Sequence, residues 1–322
     1  MKRSAVIITI LALILILLLA TTPILHYLET REILSSDRML DLRSRDGVPR
    51  DLQNDEDQAE PQLRIVVSLT TVPERINGMK STISSLLRQT LKPDEIAVHV
   101  PMRTYKGKEY VIPDWLTSLT APGNRSRVKM YRPENDYGPA TKLLFTLKRE
   151  HPESKIIVVD DDIVYPPVLV ETLVKYSNKY PDNAITTYPK NFIYHGRNQP
   201  PTMGRVWSVL HSQGFRKNKP IPSDIVMGVY GFVVKPRFFT DDVFSYEGRP
   251  DELRWVDDIH FSGQLNLNGV DIYSPVFDMN LFGIPVPSQQ RRIGLITTVN
   301  ADGHNNNKGI AYYWGLGAFQ QK

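Results

Sequence analysis

The sequence contains no cysteine among its 322 residues. Disulfide bonds are therefore excluded, although a chain of this length can bury a core that is stable without them. Secreted and lumenal domains often carry disulfides, but they do not require them when the core is large. The absence of cysteine therefore leaves the compartment open.

The chain also lacks a strong excess of either charge. It has 39 Lys and Arg against 35 Asp and Glu, and the two signs are interspersed along the sequence. Proteins that bind nucleic acid concentrate basic residues on one surface, so we expect no nucleic-acid partner. Internal repeats and low-complexity tracts are absent as well, and 41% of the residues are hydrophobic. This composition predicts one large globular domain or two small ones.

One long apolar segment is present, at the amino terminus. Residues 5–25 carry no charge over 21 positions, which corresponds to about 30 Å of helix and to the hydrocarbon thickness of a bilayer. Lys2 and Arg3 precede it, so the amino end is expected on the cytoplasmic side. A cleaved signal peptide is the alternative. The length of the apolar run and the bulky Leu18 near any cleavage site favour an uncleaved membrane anchor.

The composition changes after this segment. Up to residue 62 it is rich in Asp, Glu, Arg, Gln and Ser with few aromatics, which indicates a flexible stem, with room for a short helix over residues 34–42. The expected organisation is therefore a cytoplasmic tail (1–4), a transmembrane anchor (5–25), a stem (26–62) and a globular domain (63–322).

Strand and helix patterns alternate through the first half of the globular domain. Strands are predicted at 63–69, 95–100, 128–131 and 156–159, and helices at 79–88, 140–149 and 168–179. Two further elements are predicted later, a strand at 228–234 and a helix at 257–267. This order predicts an α/β fold with a mostly parallel sheet flanked by helices.

Three carboxylates follow one of these strands directly. Ile156-Ile-Val-Val159 reads as a strand buried on both faces, and Asp160, Asp161 and Asp162 come where it should leave the core. In an extended segment, side chains two apart point to the same side, so Asp160 and Asp162 could converge on one cation. Ligands of open α/β sheets bind at the carboxyl ends of strands, although an acidic triplet can also be a solvated turn.

Several segments in order resemble the family-2-like glycosyltransferases of the GT-A fold. Asp160-Asp161-Asp162 occupies the position of that family's DxD motif. The other matching segments are Ser85-Leu-Leu-Arg-Gln-Thr90 with Pro93-Asp-Glu-Ile96, Asn135-Asp-Tyr-Gly138-Pro-Ala-Thr-Lys142, and Trp255-Val-Asp257-Asp258-Ile-His-Phe-Ser262-Gly-Gln-Leu265. The paired acids also resemble the exostosin-type GT-A enzymes. An amino-terminal anchor followed by a stem is the usual layout of Golgi glycosyltransferases.

The resemblance implies a divalent metal site for a nucleotide-sugar diphosphate. Breaking the bond from the anomeric carbon to the diphosphate needs charge compensation, which a hard cation held by carboxylates supplies. Asp162 corresponds to the direct ligand of Mn²⁺ or Mg²⁺, and Asp160 and Asp161 to supporting contacts with metal or donor. His304, in a polar loop near the carboxyl terminus, is a candidate for an additional metal ligand, although isolated histidines in such loops are usually solvated.

Two other segments are candidates for binding the donor. The loop after the first strand, with Thr70 and Arg75, falls where GT-A enzymes hold the nucleobase, and Arg75 could meet a phosphate or the base edge. Asp136 is expected near the base or ribose. Lys142, near a predicted helix start, would add a positive charge for the diphosphate or ribose. The alternative for Arg75 is a plain surface arginine. The alternative for the segment that carries Asp136 and Lys142 is a tight turn with a solvated lysine.

Asp257 and Asp258 stand at the predicted start of the late helix. By position, Asp258 matches the family's catalytic base, which removes a proton from the acceptor hydroxyl, and Asp257 matches the acid before it. Two close carboxylates raise one pKa, which suits a base that works near neutrality. Acids at a helix start can also be simple caps.

The sequence thus predicts a metal-dependent glycosyltransferase, a single-pass type II protein of the Golgi membrane that transfers a sugar from a nucleotide-sugar donor to a glycan or glycoprotein acceptor. A base at Asp258 implies inversion, whereas the exostosin-like resemblance implies retention. An inactive GT-A fold that serves as a lectin or scaffold is a further alternative. A nucleotidyltransferase is disfavoured because no glycine lies between Thr70 and Ile76.

Overall fold

The structure, a computed structural model, describes residues 63–193, 202–203, 220–274, 283–286 and 303–315. The predicted tail, membrane anchor, stem and helix over 34–42 lie outside these residues. Within the described ranges, no helix is both long and apolar enough to cross a bilayer.

A sheet of eight strands organises the described part of the chain. The strands are β1 (Ile65–Thr70), β2 (Glu95–His99), β3 (Val128–Tyr131), β4 (Lys155–Val158), β6 (Ala184–Thr186), β9 (Ile221–Ser223), β10 (Phe232–Val234) and β11 (Ile272–Ser274). Their order in the sheet is β3-β2-β1-β4-β10-β6-β11-β9. The pairs β3–β2, β2–β1, β1–β4 and β6–β11 are parallel, whereas β10 and β9 run antiparallel to their neighbours. The short pairs β5 (Ile163–Val164) with β12 (Ile284–Pro285) and β7 (Phe192–Ile193) with β8 (Thr202–Met203) lie outside it.

Helices cover both faces of this sheet, as the alternating pattern predicts. The residues of β4 and the one that follows it alternate between the two faces. Ile156 and Val158 belong to one hydrophobic core, while Ile157 and Val159 belong to the other. All four are fully buried, which confirms a strand covered on both faces. The helices are α1 (Met79–Leu87), α2 (Asp114–Leu119), α3 (Thr141–Arg149), α4 (Leu169–Lys179), α5 (Asp257–Leu267) and α6 (His304–Trp314).

The predicted strand over 228–234 is wrong in its first half. Gly228–Tyr230 form a 3₁₀ turn, and β10 begins only at Phe232. Gly231 between them has φ +88°, a left-handed conformation that breaks an extended strand. Helix α2, which lacks a clear apolar period, was not predicted.

The antiparallel direction of β10 has a consequence for the edge of the sheet where β1 and β4 end. Phe232 pairs with Val158, so the amino end of β10 adjoins the carboxyl end of β4. The turn at Gly228–Tyr230 therefore lies beside the acidic run. Parallel strands and one antiparallel neighbour thus bring distant segments to a single edge.

Candidate active site

Five carboxylates and two cationic side chains form a linked cluster at this edge. Asp160, Asp161 and Asp162 follow β4, and Asp257 and Asp258 open α5. The cations in contact with them, among the described residues, are Lys142 near the start of α3 and Arg75 after β1. The acidic segments that the sequence analysis singled out are therefore brought together, with carboxylates in excess.

Lys142 joins the two acidic segments. Its Nζ lies 2.7 Å from Asp160 Oδ1, 2.8 Å from Asp257 Oδ2 and 3.9 Å from Asp258 Oδ1, and only 5% of its side chain is exposed. Burial alone would lower the pKa of Lys142, but the surrounding carboxylates raise it well above its usual value. Lys142 is the internal counter-ion of the acidic cluster, and its contact with a donor stays a prediction.

Arg75 is the second cation and holds the other two acids. Its guanidinium lies 2.7 Å from Asp161 Oδ1 and 3.5 Å from Asp162 Oδ2. Asp161 also accepts a hydrogen bond from Thr71 Oγ1 at 2.5 Å, and its side chain is 1% exposed. Asp161 fixes Arg75 and the loop after β1, and its supporting contact with metal or donor stays a prediction.

Asp160 and Asp162 are the members of the triplet that keep an open side. Their side chains are 30% and 26% exposed, although Asp161 and Asp162 form a turn and not the extended segment that the prediction assumed. Burial, followed by the charges of Asp160 and Asp161, raises the pKa of Asp162 to about 6. A cation placed there would relieve this repulsion.

The donor set suits a hard divalent cation that also binds substrate. Carboxylate oxygens are the ligands that Mg²⁺ and Mn²⁺ prefer, and Mg²⁺ commonly takes one or two carboxylates and completes its shell with phosphate and water. Across the described ranges, no group of three or more His, Asp or Glu side chains is arranged to hold a metal. The residues therefore fit a cation shared with a diphosphate, and they do not form a closed protein cage.

The unfavourable charge on Asp162 predicts that Asp162→Asn stabilises the metal-free protein. A folded-state pKa raised from 3.8 to about 6 means that the penalty grows as pH rises through this interval. We expect Asp162→Asn to raise the free energy of unfolding by about 1–2 kcal/mol at about pH 7, after discounting for its partial exposure, and by almost nothing at about pH 4. Urea unfolding in EDTA measures this, with the exposed Asp114→Asn as control. A variant less stable than the parent at neutral pH would contradict the expectation.

Asp258 has the environment expected of a base. Burial, followed by the charge of Asp257, raises the pKa of Asp258 well above its ordinary value. Its Oδ1 accepts the backbone N–H of Gly228 at 3.1 Å, and a quarter of its side chain remains exposed. Asp257 is more deeply buried, at 9% exposure, against Lys142. Of this pair, Asp258 is therefore the one that can meet a substrate.

Gly228 is a site residue that the sequence analysis missed. A Cβ at this position would lie 2.5 Å from Lys142 Nζ, 2.9 Å from Asp160 Oδ1 and 3.3 Å from Asp258 Oδ1. Only glycine lets the backbone approach the charged cluster closely enough to donate its N–H to Asp258. A glycine at the misread start of β10 was the available signal, because glycine inside a strand pattern often marks a close backbone approach.

Gly228→Ala is expected to disturb the cluster without unfolding the chain. The new methyl group must displace an ammonium that two carboxylates hold at hydrogen-bonding distance, at a cost of about 1–3 kcal/mol in stability. Displacement of catalytic groups by about 1 Å can cost about 100-fold in rate, so we expect a loss of this order in the reaction proposed below. Gly248→Ala is the matched control, since its Cβ would meet nothing within 4 Å although its φ is +70°. It should lower stability and leave the rate unchanged; equal rates for both variants would contradict the role of Gly228.

Tyr165 ties the same turn to the acidic run. Its buried hydroxyl accepts the N–H of Asp160 at 2.8 Å and donates to the carbonyl of Gly228 at 3.2 Å. Burial raises the pKa of Tyr165 well above its usual value, so the phenol keeps its proton. One hydroxyl thereby holds the backbone of both candidate functional segments. Sequence reasoning also missed this residue, because a tyrosine after a strand reads as ordinary core.

Three predicted site residues lie outside this cluster. Thr70 Oγ1 donates to the carbonyl of His99 at 2.8 Å. The carboxylate of Asp136 accepts hydrogen bonds from the backbone of Tyr105 and Gly138 and from Thr141, so it shapes a loop.

His304 begins α6, and its Nε2 lies 3.5 Å from Glu252 Oε1. Within the described residues, His304 does not belong to a group of three or more side chains that could hold a metal. Metal binding by His304 and donor contacts by Thr70 and Asp136 stay predictions.

Comparisons with known proteins give distant structural likenesses. No family model matches the sequence, and no curated protein matches it. Among solved structures, GalNAc-T7 with UDP, GalNAc and Mn²⁺ is 13% identical with a TM-score of 0.47, over 66% of this chain and 41% of that one. The mannosyltransferase PcManGT from Pyrobaculum calidifontis, with GDP-Man and Mn²⁺, is 15% identical with a TM-score of 0.47, over 93% and 76%. TarS (residues 1–349) from S. aureus is 16% identical with a TM-score of 0.41, over 66% and 58%.

The chain thus spans less than two thirds of the length of GalNAc-T7 and of TarS. All three TM-scores are below 0.5, so function has to be argued from the site itself.

Proposed function

We propose that this protein is a divalent-metal-dependent glycosyltransferase that uses a nucleotide-sugar donor. One observation carries the proposal: the acidic run after β4 and the acid pair that opens α5 meet around Lys142, although they are far apart in the sequence. A structural ion pair would need one carboxylate for each cation, whereas this cluster has five carboxylates and two cations among the described residues. The excess negative charge, open at Asp160, Asp162 and Asp258, suits a site that takes a cation and a reacting hydroxyl.

Asp162 and Asp160 would hold the cation. When bound, Mn²⁺ or Mg²⁺ supplies positive charge that stabilises the departing nucleoside diphosphate. Arg75 orients Asp162 from the protein side, and Lys142 does the same for Asp160. Asp161 keeps Arg75 in place, so the open carboxylates are presented by a buried and fully paired support.

Asp258 would take the proton of the acceptor hydroxyl. As that proton moves to the carboxylate, the hydroxyl oxygen forms a bond to the anomeric carbon and the bond to the diphosphate breaks, which inverts the anomeric configuration. The raised pKa of Asp258 makes it a stronger base than an ordinary aspartate while Lys142 limits the build-up of negative charge beside it.

The acceptor and the location belong to the proposal as well. A glycan or glycoprotein acceptor in the Golgi lumen fits an uncharged segment over residues 5–25 preceded by Lys2 and Arg3, since such a segment would anchor the chain with its carboxyl part across the membrane.

A donor panel with the full-length protein tests the reaction. Release of nucleoside diphosphate is measured for common nucleotide sugars with Mn²⁺, with Mg²⁺ and with EDTA. We expect release from one donor or a few, loss of release in EDTA, and loss of about 100-fold or more in Asp162→Ala. Asp114→Ala, an exposed acid on α2, should match the parent. Unchanged release in Asp162→Ala would refute the metal site, and donor binding without turnover would indicate a sugar-binding protein.

A further inference from the structure

An open cavity of about 560 Å³ has no role in the reaction described so far. Its size is within the range of small-molecule sites. The 3₁₀ turn Asp251–Trp255 supplies one wall and leads directly into α5, so the cavity lies three residues from Asp257 along the chain. The side chains that matter below are Arg103, Tyr105, Glu134, Asn135, Asp136 and Arg254.

Arg254 stacks on aromatic rings and has no anionic partner in the part of the chain that the structure describes. Its guanidinium carbon lies 4.9 Å from the ring centroid of Tyr246 and 5.9 Å from that of Tyr105. Within the described ranges, its guanidinium makes neither an ion pair nor a hydrogen bond. Arg103, the other arginine of the cavity, is paired with Glu109 at 2.5 Å. Arg254 is therefore held in place by stacking while its hydrogen-bond donors stay available.

Tyr105 gives the cavity an exposed aromatic face. It is 61% exposed, and the ring of Trp255 meets it edge-on at 6.1 Å between centroids. Its backbone N–H is bound to the carboxylate of Asp136 at 2.8 Å, which fixes the loop that carries it. An exposed aromatic ring with a fixed backbone suits a flat or ring-shaped ligand.

The remaining polar groups suit hydroxyls. Glu134 and Asn135 are exposed in the wall, where a carboxylate and an amide can accept and donate hydrogen bonds. Asp136, in contrast, is already engaged by three donors. The cavity thus combines one unpaired guanidinium, one aromatic face and hydroxyl-binding groups.

From these features we infer that the cavity is a subsite for an acidic sugar unit of the acceptor. Arg254 binds the anionic group, Tyr105 packs against the pyranose ring, and Glu134 and Asn135 bind hydroxyls. The inference rests on the proposed function, because the ligand is an acceptor only if the protein is a transferase. Arg254 lies in the 3₁₀ turn that leads into α5, three residues before Asp257. The inference adds the chemical class of the acceptor, which the acidic cluster itself does not specify.

Two matched probes test the subsite without turnover. Binding of p-nitrophenyl β-D-glucuronide and p-nitrophenyl β-D-glucoside to the full-length protein is measured by saturation-transfer NMR in the absence of donor and metal. The two probes differ at C6 alone, which is a carboxylate in the first and a hydroxymethyl group in the second. We expect the glucuronide to bind about tenfold more tightly, as for a hydrogen-bonded charge pair. Arg254→Gln should remove this preference, and Arg254→Lys, which keeps the charge but not the planar fork, should retain part of it.

Arg125→Gln is the control for loss of positive charge. Arg125 is exposed and precedes β3, whereas the cavity residues Glu134 and Asn135 follow that strand, so Arg125→Gln should keep the full preference. Equal binding of both probes to the parent protein, or an undiminished preference in Arg254→Gln, would overturn the inference. So would displacement of the glucuronide by metal-free UDP or GDP, since the cavity would then belong to the donor.

The outcomes separate this inference from the proposed reaction. A glucuronide preference that depends on Arg254, in a protein that releases no diphosphate from any donor, would support the subsite and contradict the transferase. Donor turnover without the preference would do the reverse.

Discussion

Asp258→Asn is expected to lose about 10²–10⁴-fold of sugar transfer while it still binds the nucleotide donor. Asparagine keeps the shape of the side chain and can still accept the N–H of Gly228, but it cannot take a proton at neutral pH. The raised pKa of Asp258 also predicts that transfer by the parent falls as pH drops through that pKa, because the protonated acid is no longer a base. Product formation by mass spectrometry, measured over a pH series, checks both expectations.

Two controls sharpen this test. Asp241→Asn, an exposed acid in a 3₁₀ turn, should transfer sugar like the parent. The anomeric configuration of the product, read by NMR, should be inverted. Transfer by Asp258→Asn within about threefold of the parent would contradict the assignment, and a retained configuration would remove the base role from Asp258 even if the variant were inactive.

Lys142→Met is expected to be the most destabilising single substitution in the site. It leaves Asp160, Asp257 and Asp258 without their shared cation, and removal of one partner from a buried ion pair costs about 3–5 kcal/mol. Burial raises the pKa values of Asp257 and Asp258, and without the ammonium these two carboxylates would hold protons to still higher pH in the folded state than in the unfolded state. Stability of the variant should therefore fall further as pH rises, so its deficit against the parent is larger at about pH 8 than at about pH 5.

Lys235→Met provides a matched comparison for this loss. Lys235 is as buried as Lys142, with 6% of its side chain exposed. Its one carboxylate partner among the described residues is Glu153, which is 2.8 Å away and 44% exposed. We expect a smaller cost, of about 1 kcal/mol, with little change over the same pH range. Chemical denaturation of both variants at the two pH values distinguishes a shared counter-ion from an ordinary buried lysine; equal deficits would contradict the role of Lys142.

The regular part of the fold was within reach of sequence reasoning. The continuous β-branched run at Ile156–Val159 predicted a strand covered on both faces, and the apolar spacing of Thr141–Arg149 and Asp257–Leu267 predicted helices that the structure contains. The acids themselves were found because they follow a strand or open a helix. These signals are local, since each depends on a few consecutive residues.

The ion pairs and close contacts inside the site could not be predicted from local sequence patterns. Lys142 reads equally well as a solvated lysine, and only its burial between three carboxylates shows that it is an internal counter-ion. Asp161 differs from its neighbours because a turn directs it toward Arg75, which the sequence spacing could not show. Gly228 joins the cluster through the antiparallel pairing of β10 with β4, a long-range choice that no short window of sequence specifies.

The site also illustrates a conflict between stability and function. The ionised carboxylates of Asp162 and Asp258 are unfavourable in the metal-free fold, and substitution of Asp162 relieves part of this. Such strain persists in proteins where function requires it. In a cluster with a purely structural role, we would expect the positive and negative side chains to balance in number.

The most direct test of the central claim is the thermal stability of the full-length protein with nucleoside diphosphate and Mn²⁺, each alone and both together, in the parent and in Asp162→Asn. A ligand at about 100 times its Kd adds about 2.7 kcal/mol of stability, which shifts the melting temperature by several degrees. For UDP or GDP, we predict a shift in the parent that requires both components and that is absent in Asp162→Asn. An equal shift in the variant, or a full shift with EDTA in place of Mn²⁺, would contradict a cation shared between Asp162 and the donor.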